Sequence, residues 1–346
     1  MVKILLILSG GTICCVKREH ILSSDTAQAE RALVANFRAS ASPWAGAEFD
    51  SRFPLDALSE NMTIPRWNLL LEDLRACEPE AYDGVILAHG TDTLAYTASL
   101  LSLALAGWSK PLLLVAANRE LSDPRGNGNV NFRAAVELIA ERRLPGGVFA
   151  VFRNSDGVTW LHEGCCLQQS GSYSPDFFSR SMLPVQEARP ELWPAPAARP
   201  RELWPLTKMQ PLSAQVLHIT PYVGLDYSRF RLEGLRAVCH GSYHSGTACT
   251  DRKTRDQAYS SASLLWLADR CRELELPLFI GPCNAGAAAD KYDTVVDFCQ
   301  AGAIPVWGLS DETLYVKVLL ACALYEDREA VIDFVKNQRL GREFRD

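Results

Sequence analysis

The chain has 346 residues, of which 48% are hydrophobic and 22% are charged, and this composition indicates a globular protein large enough for two domains. Its net charge of −6 argues against a nucleic-acid partner, because phosphate binding needs an excess of Lys and Arg. No apolar run approaches the roughly 20 residues that span a bilayer, so we expect no membrane partner. The eleven cysteines include no Cys-x-x-Cys pair and favour a reducing, cytoplasmic location.

The chain opens with a predicted strand at residues 2–8, which is apolar apart from Lys3. A glycine turn follows it in place of a small-residue cleavage site, so the run indicates a buried strand and not a signal peptide. Gly10 and Gly11 allow a sharp turn that places Thr12 at the carboxyl end of this strand. Residues 14–27 are polar and are predicted to form an irregular loop, the usual position of a lid.

A second strand and turn repeat this arrangement. Residues 85–88 are continuously apolar, as in a strand buried on both faces of a parallel sheet, and His89-Gly90-Thr91-Asp92-Thr93 follows directly. A helix is predicted from Leu94, because apolar residues then recur at helical spacing. Open α/β sheets bind ligands at the carboxyl ends of their strands. Two hydroxyls and a carboxylate above a helix N-terminus therefore predict a site for a polar ligand.

Further elements follow the same alternation of strand and helix. Strands are predicted at 111–117 and 147–153, and helices at 28–37, from Ile64, and at 130–141. Ser59, Glu60 and Asn61 precede the second of these helices. From the residues alone, Ser59 or Asn61 is expected to cap this helix.

Two other segments carry residues that coordinate metals or bind phosphates. His162-Glu163-Gly164-Cys165-Cys166 contains metal-ligand residue types, but consecutive strand residues point to opposite faces, so we expect no metal site. Gly126-x-Gly128 lacks the following Lys-Ser/Thr of a phosphate loop, and Gly10-Gly11 does not continue into a dinucleotide fingerprint. We therefore expect no cofactor.

Residues 186–212 differ sharply from the rest of the chain, with six prolines and two copies of Glu-Leu-Trp-Pro. They predict a semi-rigid linker between an N-terminal domain at 1–185 and a C-terminal domain at 213–346. The second domain shows strand patterns at 216–219, 237–240 and 278–280, and a helix capped by Ser310. The predicted fold class is α/β, with a larger N-terminal three-layer domain around a parallel sheet and a smaller C-terminal α/β domain.

Gly-Gly-Thr-Ile at 10–13, followed by His-Gly-Thr-Asp-Thr at 89–93, resembles the bacterial-type L-asparaginase family, in particular its cytosolic type I members. Ser-Glu-Asn-Met at 59–62 and the segments 241–246 and 310–317 resemble it less closely. The resemblance implies an amidohydrolase that converts the side-chain amide of L-asparagine, or a related small amide, to the acid and ammonia. It also implies that the chain binds this small-molecule substrate as its partner and forms a homodimer or homotetramer.

The same resemblance assigns roles to individual residues. Thr12 corresponds to the nucleophile, Thr91 to the relay, and Asp92 to its polariser or to the partner of the substrate ammonium. Ser59 and Glu60, with the backbone at Gly11 and Gly90, correspond to the substrate-binding residues. For one isolated motif, capping of the next helix is the more ordinary role of Thr and Asp. Two such motifs at the family's separation favour a site.

The chain departs from the family at two positions. The relay lysine falls near Gln168 or Gln169, and no lysine occurs between Lys110 and Lys208. The lid tyrosine is absent as well, because no tyrosine occurs between residues 12 and 50, and His20 lies closest to its place. A glutamine can orient water but cannot titrate. Two alternatives therefore accompany the amidohydrolase: a catalytically weak or inactive amino-acid-binding relative, and the amidase component of a transamidation complex.

Overall fold

The computed structural model describes residues 1–18, 21–193, 204–251, 260–283 and 292–337. The chain divides into two compact units, the first comprising Met1–Met209 and the second beginning at Gln210. This division falls inside the predicted linker 186–212, and the domain limits 1–185 and 213–346 stay a prediction. The candidate lid residue His20 lies outside the described residues.

The described residues contain fifteen strands. They are β1 Lys3–Leu8, β2 Cys15–Arg18, β3 Ile21–Ser24, β4 Glu48–Arg52, β5 Gly84–Ala88, β6 Pro111–Val115, β7 Gly147–Arg153, β8 Thr159–Glu163, β9 Leu167–Gln168, β10 Phe178–Ser179, β11 Leu183–Pro184, β12 Val216–Ile219, β13 Ala237–His240, β14 Leu278–Cys283 and β15 Ile304–Trp307. The predicted strands at 147–153, 216–219 and 237–240 are confirmed with their predicted limits.

The same residues contain nine α-helices. They are α1 Thr26–Arg38, α2 Ile64–Arg75, α3 Leu94–Ala104, α4 Gly128–Ala140, α5 Pro205–Lys208, α6 Leu264–Glu273, α7 Asp293–Gln300, α8 Asp311–Leu324 and α9 Arg328–Asn337. The predicted cap of α8 is confirmed, because the Ser310 hydroxyl accepts a hydrogen bond from the Thr313 N–H at 3.2 Å. Asp311 and Glu312 in its first turn interact favourably with the helix dipole.

A seven-stranded sheet forms the centre of the first unit in the described residues, with the order β11-β8-β7-β6-β5-β1-β4. The five neighbouring strands β4, β1, β5, β6 and β7 pair in parallel. At the other edge β8 pairs antiparallel with β7, and β11 pairs antiparallel with β8. Ile4, Leu6 and Leu8 of β1 pack into one core cluster with residues of α1 and α4. Leu5 and Ile7 are equally buried and point to the opposite face, so β1 is covered on both faces.

The second unit contains a smaller parallel sheet of four strands among the described residues, in the order β12-β13-β14-β15. Its core cluster joins Val238 and Ile280 of the sheet to Leu264 of α6 and Phe298 of α7. The predicted α/β fold, with a larger N-terminal sheet and a smaller C-terminal one, is therefore confirmed. Within the described ranges, no helix combines the length and apolarity needed to cross a bilayer.

The prediction of an irregular loop at 14–27 is wrong. β2 and β3 form an antiparallel hairpin in which Cys15 pairs with Ser24, and α1 begins at Thr26. The helix starts earlier than expected because the Asp25 carboxylate caps it, accepting a hydrogen bond from the Gln28 N–H at 2.9 Å. The segment after Thr12 is thus an ordered hairpin on both sides of residues 19–20.

Candidate active site

Two turns meet at the carboxyl edge of the large sheet, one after β1 and the other after β5. Gly10 and Gly11 adopt φ values of 107° and 78°, which side-chain-bearing residues rarely adopt. The Gly11 N–H donates to the Ala57 carbonyl at 2.9 Å. A Cβ atom at Gly11 would lie only 2.1 Å from the Gly90 Cα. The backbones that carry Thr12 and Thr91 are therefore in direct contact.

Ser59, in the segment before α2, forms hydrogen bonds with the second turn. Its hydroxyl accepts a hydrogen bond from the Asp92 N–H at 3.0 Å and lies 3.3 Å from the Asp92 carboxylate, to which it donates. The Ser59 carbonyl accepts from the Thr93 hydroxyl at 3.0 Å. The residue at the N-cap of α2 is Thr63, which makes no side-chain capping bond. The Ser59 side chain thus binds the Asp92 turn and does not cap the helix.

Gln169 lies beside Thr91, in the region where the family resemblance places a lysine. Its carboxamide nitrogen donates to the Thr91 carbonyl at 2.8 Å, and its carboxamide oxygen accepts from the Ala95 N–H at 3.3 Å. Gln168 is exposed and pairs with Phe178 between β9 and β10. The sequence did not distinguish which glutamine occupies the lysine position, and in the structure Gln169 is the one that contacts the Thr91 turn. Its neutral amide joins the turn to the first residues of α3.

A buried histidine, His89, contacts the Thr91 turn from the protein interior. His89 is fully buried, with Nδ1 2.8 Å from the Gly90 carbonyl and Nε2 3.0 Å from the Thr97 hydroxyl. The Trp67 indole N–H donates to the same hydroxyl at 3.0 Å. Burial lowers the pKa of His89 to about 4, so its ring is neutral near pH 7. Sequence reasoning missed Trp67 and Thr97, although both have polar atoms at buried helix positions that need a partner.

The first turn contains a thiol as well as Thr12. The Gly11 carbonyl accepts from the Cys14 N–H at 2.8 Å and from the Cys15 thiol at 3.3 Å. Burial raises the pKa of Cys15, and the carboxylate of Glu60 raises it further. A thiol in this environment stays protonated, so Cys15 is a poor nucleophile. Thr12, the other residue of this turn with a nucleophilic type of side chain, is half-buried.

The remaining predicted site residues lie on the exposed side of these turns. Thr91 is half-buried, whereas Asp92 and Glu60 are exposed. Among the residues that the structure describes, no Lys, Arg or His lies within ion-pair distance of either carboxylate. The exposed side of the two turns therefore carries negative charge, which favours a ligand with a cationic group, such as an ammonium.

The segment with metal-ligand residue types is built into the interior of the sheet. His162 is buried on β8, and its Nδ1 lies 2.9 Å from the Ser179 hydroxyl. Burial lowers its pKa to about 3. The Cys166 thiol donates to the Glu163 carboxylate at 3.7 Å. Within the described ranges, no three His, Cys, Asp or Glu side chains are grouped so that they could hold a metal ion.

A comparison with protein families gives the class to which this fold and site belong. Residues 3–191, more than half of the chain, match the family model described as "Asparaginase, N-terminal". The chain therefore belongs to the asparaginase family.

Two solved structures resemble the whole chain. The thermostable L-asparaginase from Thermococcus kodakarensis aligns with a TM-score of 0.74 and 20% identity, covering 100% of both chains. L-asparaginase I from Vibrio cholerae aligns with a TM-score of 0.74 and 21% identity, covering 98% of each chain. At such low identity these likenesses show the shared fold.

Curated relatives match a shorter part of the chain. The D subunit of glutamyl-tRNA(Gln) amidotransferase from Methanococcus maripaludis is 34% identical over 139 residues, which are 39% of this chain and 32% of the relative. The protein of the same name from Saccharolobus solfataricus is 32% identical over 135 residues, 38% of this chain and 30% of the relative. The match thus spans about a third of the length of these relatives.

Proposed function

We propose that the chain is an amidohydrolase that hydrolyses the side-chain amide of L-asparagine, or of a related small amide, to the acid and ammonia. The observation that carries this proposal is the direct contact between the Gly11 and Gly90 backbones. It brings together two turns, each ending in a threonine, at the ligand-binding edge of the sheet in a member of the asparaginase family.

In the proposed reaction the Thr12 hydroxyl attacks the amide carbon, and a new C–O bond forms while the carbonyl becomes an oxyanion. The hydroxyl proton passes through Thr91 and Asp92, or water that they hold, to the departing nitrogen, which leaves as ammonia. Water then cleaves the acyl-enzyme and restores Thr12. Asp92 is proposed either to polarise this relay or to be the partner of the substrate ammonium.

The amino-acid head of the substrate is proposed to bind around Ser59, with Glu60 facing the ammonium group. Gly11 and Gly90 support this arrangement, because side chains at these positions would collide with each other's backbone or with Ser59. His20 is proposed as the lid residue. The proposal needs neither a metal nor a cofactor.

Ammonia release by the purified chain tests the proposal, with asparagine, glutamine and small aliphatic amides as substrates. Thr12→Ala is expected to abolish release, whereas Thr12→Ser keeps a hydroxyl and is expected to retain part of it. Ammonia release that persists unchanged in Thr12→Ala would contradict the assigned nucleophile.

A second candidate function is amino-acid binding without efficient turnover. It is favoured by Gln169, whose neutral amide stands beside Thr91 where a relay lysine is expected. Calorimetric binding of asparagine or aspartate, without ammonia release by the unmodified chain, would support this candidate.

A third candidate is the amidase component of a transamidation complex, and it is favoured by the names of the curated relatives. Such a component would be recovered from its native source together with a partner protein. For the first two candidates we propose a cytoplasmic homodimer or homotetramer. A monomer by light scattering at micromolar concentration would contradict that oligomeric state.

A further inference from the structure

Three hydrogen bonds form a chain beneath the second turn, from Trp67 of α2 through Thr97 of α3 and His89 to the Gly90 carbonyl. All three side chains are buried, and Thr97 and His89 have no exposed surface. An indole N–H can only donate, so the Thr97 oxygen must accept its bond at 3.0 Å. This leaves the Thr97 hydroxyl proton for the histidine.

The two ends of the chain determine which nitrogen of His89 carries the proton. The Gly90 carbonyl, 2.8 Å from Nδ1, can only accept, so Nδ1 must be the protonated nitrogen. The neutral ring then presents Nε2 as an acceptor, and the Thr97 hydroxyl donates to it at 3.0 Å. The opposite tautomer would place the Nδ1 lone pair against the carbonyl oxygen, and two acceptors repel. The hydrogen bonds must therefore run from Trp67 through Thr97 and His89 to Gly90, because this direction alone gives every donor in the chain an acceptor.

The chain ends on the peptide that joins Gly90 to Thr91. In a planar trans peptide the C=O and N–H bonds point in opposite directions. Since the Gly90 carbonyl is held by His89, the Thr91 N–H points away from that buried histidine. It makes no hydrogen bond with any residue that the structure describes. On its other side Gly90 touches Gly11 and Ser59, so the peptide has little room to rotate.

We propose that the Trp67–Thr97–His89 chain positions the Thr91 N–H as the donor that stabilises the oxyanion formed when Thr12 attacks the amide. This inference rests on the proposed amidohydrolase function. The N–H donates a hydrogen bond to the negative oxygen and transfers no proton. Trp67, Thr97 and His89 are positioning residues, because they act on the reaction only through the Gly90–Thr91 peptide.

Kinetics of Thr97 variants test the proposal. Thr97→Val keeps the shape but removes the hydroxyl, and we expect kcat to fall about tenfold, less than the loss of a whole oxyanion donor, with KM nearly unchanged. Thr97→Ser should restore most of the rate. Ser102→Ala is the matched control, because it removes another hydroxyl of α3, whose one hydrogen bond to the described residues is to the Ala98 carbonyl at 2.7 Å. Equal kcat values for Thr97→Val and Ser102→Ala would overturn the proposal.

A spectroscopic measurement separates this proposal from the function on which it rests. In the isotope-labelled chain, long-range nitrogen–proton correlations report which His89 nitrogen is protonated, and the amide resonance of Thr91 reports the orientation of its peptide. We expect an Nδ1–H ring, and a Thr91 amide resonance that shifts in Thr97→Val but not in Ser102→Ala. If no amide is hydrolysed, the function fails while these signals still support the positioning. An Nε2–H ring would overturn the positioning whether or not the chain is active.

Discussion

The two turns that meet at the candidate site are held by different means. The Thr12 turn is fixed by its backbone: Gly10 and Gly11 have left-handed φ values, and the Gly11 N–H bonds to the Ala57 carbonyl. The Thr91 turn is held by side chains, namely Gln169 on its carbonyl, Ser59 on the Asp92 N–H, and His89 on the Gly90 carbonyl. Backbone geometry cannot be adjusted by a single conservative substitution, whereas side-chain contacts can. Gly10 and Gly11 of the first turn are therefore expected to tolerate no side chain, whereas the contacts of the second turn can be altered one at a time.

Gly11→Ala should produce the largest effect on stability. The new Cβ would meet the Gly90 Cα at 2.1 Å and would sit on a residue with φ of 78°. The left-handed conformation alone costs about 1–2 kcal/mol, so we expect a loss of at least about 3 kcal/mol in the free energy of unfolding. Urea denaturation followed by circular dichroism measures it. Gly46→Ala is the matched control, since nothing lies within 4 Å of the new methyl group. Equal stability of the two variants would contradict a first turn fixed by its backbone.

Acid should lower the free energy of unfolding, in part through His89, which supports the second turn. His89 has a folded-state pKa of about 4, below the roughly 6.5 of an exposed histidine. Only the unfolded state binds this proton between those values, so the stability is complete above pH 6.5 and is lost as pH falls towards 4. The slope is about 1.4 kcal/mol per pH unit for each such histidine.

His162 and His240 are buried and have lowered pKa values, of about 3 and about 4, and add to the same slope. Urea midpoints measured at a series of pH values give the slope. If His162→Phe retains the fold, it should reduce the slope of stability against pH by about 1.4 kcal/mol per pH unit, the contribution of one proton. A stability that does not change between pH 6.5 and 4.5 would mean that the folded state binds as many protons as the unfolded state, contrary to the lowered pKa values of these histidines.

The contrast between the turns also explains what the sequence could predict. The strands before Thr12 and Thr91 are continuous apolar runs, and their carboxyl ends are adjacent because β1 and β5 pair in parallel. That adjacency follows from local pattern and general sheet rules. The contacts of the second turn do not, because Gln169 and Thr91 are 78 residues apart and pairing them needs the folded path of β9. The choice between Gln168 and Gln169 needed the structure for the same reason.

Two further differences between sequence and structure have other causes. The hairpin of β2 and β3 was missed because its polar composition outweighed the β-branched and apolar Val16, Ile21 and Leu22. Ser59 had two interpretations because capping and long-range binding use the same hydroxyl. Its partner, the Asp92 turn, lies 33 residues away.

Gln169→Lys should raise the activity of the chain, because it adds a titrating group to the second turn. An ammonium at this position can still donate to the Thr91 carbonyl, and it supplies the cation that the described site lacks. General acid–base groups contribute about 10²–10⁴-fold, and we expect ammonia release from asparagine to rise about tenfold or more. The gain is limited because the Ala95 N–H loses its acceptor, at about 1 kcal/mol.

Gln168→Lys is the control for this gain, since it adds the same charge one residue away on an exposed side chain. If the two lysine variants release ammonia at the same rate, the proposed relay does not depend on the group beside Thr91. A different residue would then carry the proton, and His20 is the candidate that His20→Ala examines.

Cys15→Ala should give the smallest effect and examines the first turn directly. The Cys15 thiol donates to the Gly11 carbonyl at 3.3 Å, but the same carbonyl also accepts the Cys14 N–H at 2.8 Å. A thiol is a weak donor, and the backbone bond remains when it is removed. We therefore expect kcat to fall no more than about threefold, which corresponds to the weaker end of the range for a hydrogen bond. Cys15→Ser keeps a donor and should lie between the variant and the unmodified chain. A loss in Cys15→Ala as large as that expected for Thr97→Val would mean that a side chain also holds the first turn, and the distinction between the two turns would fail.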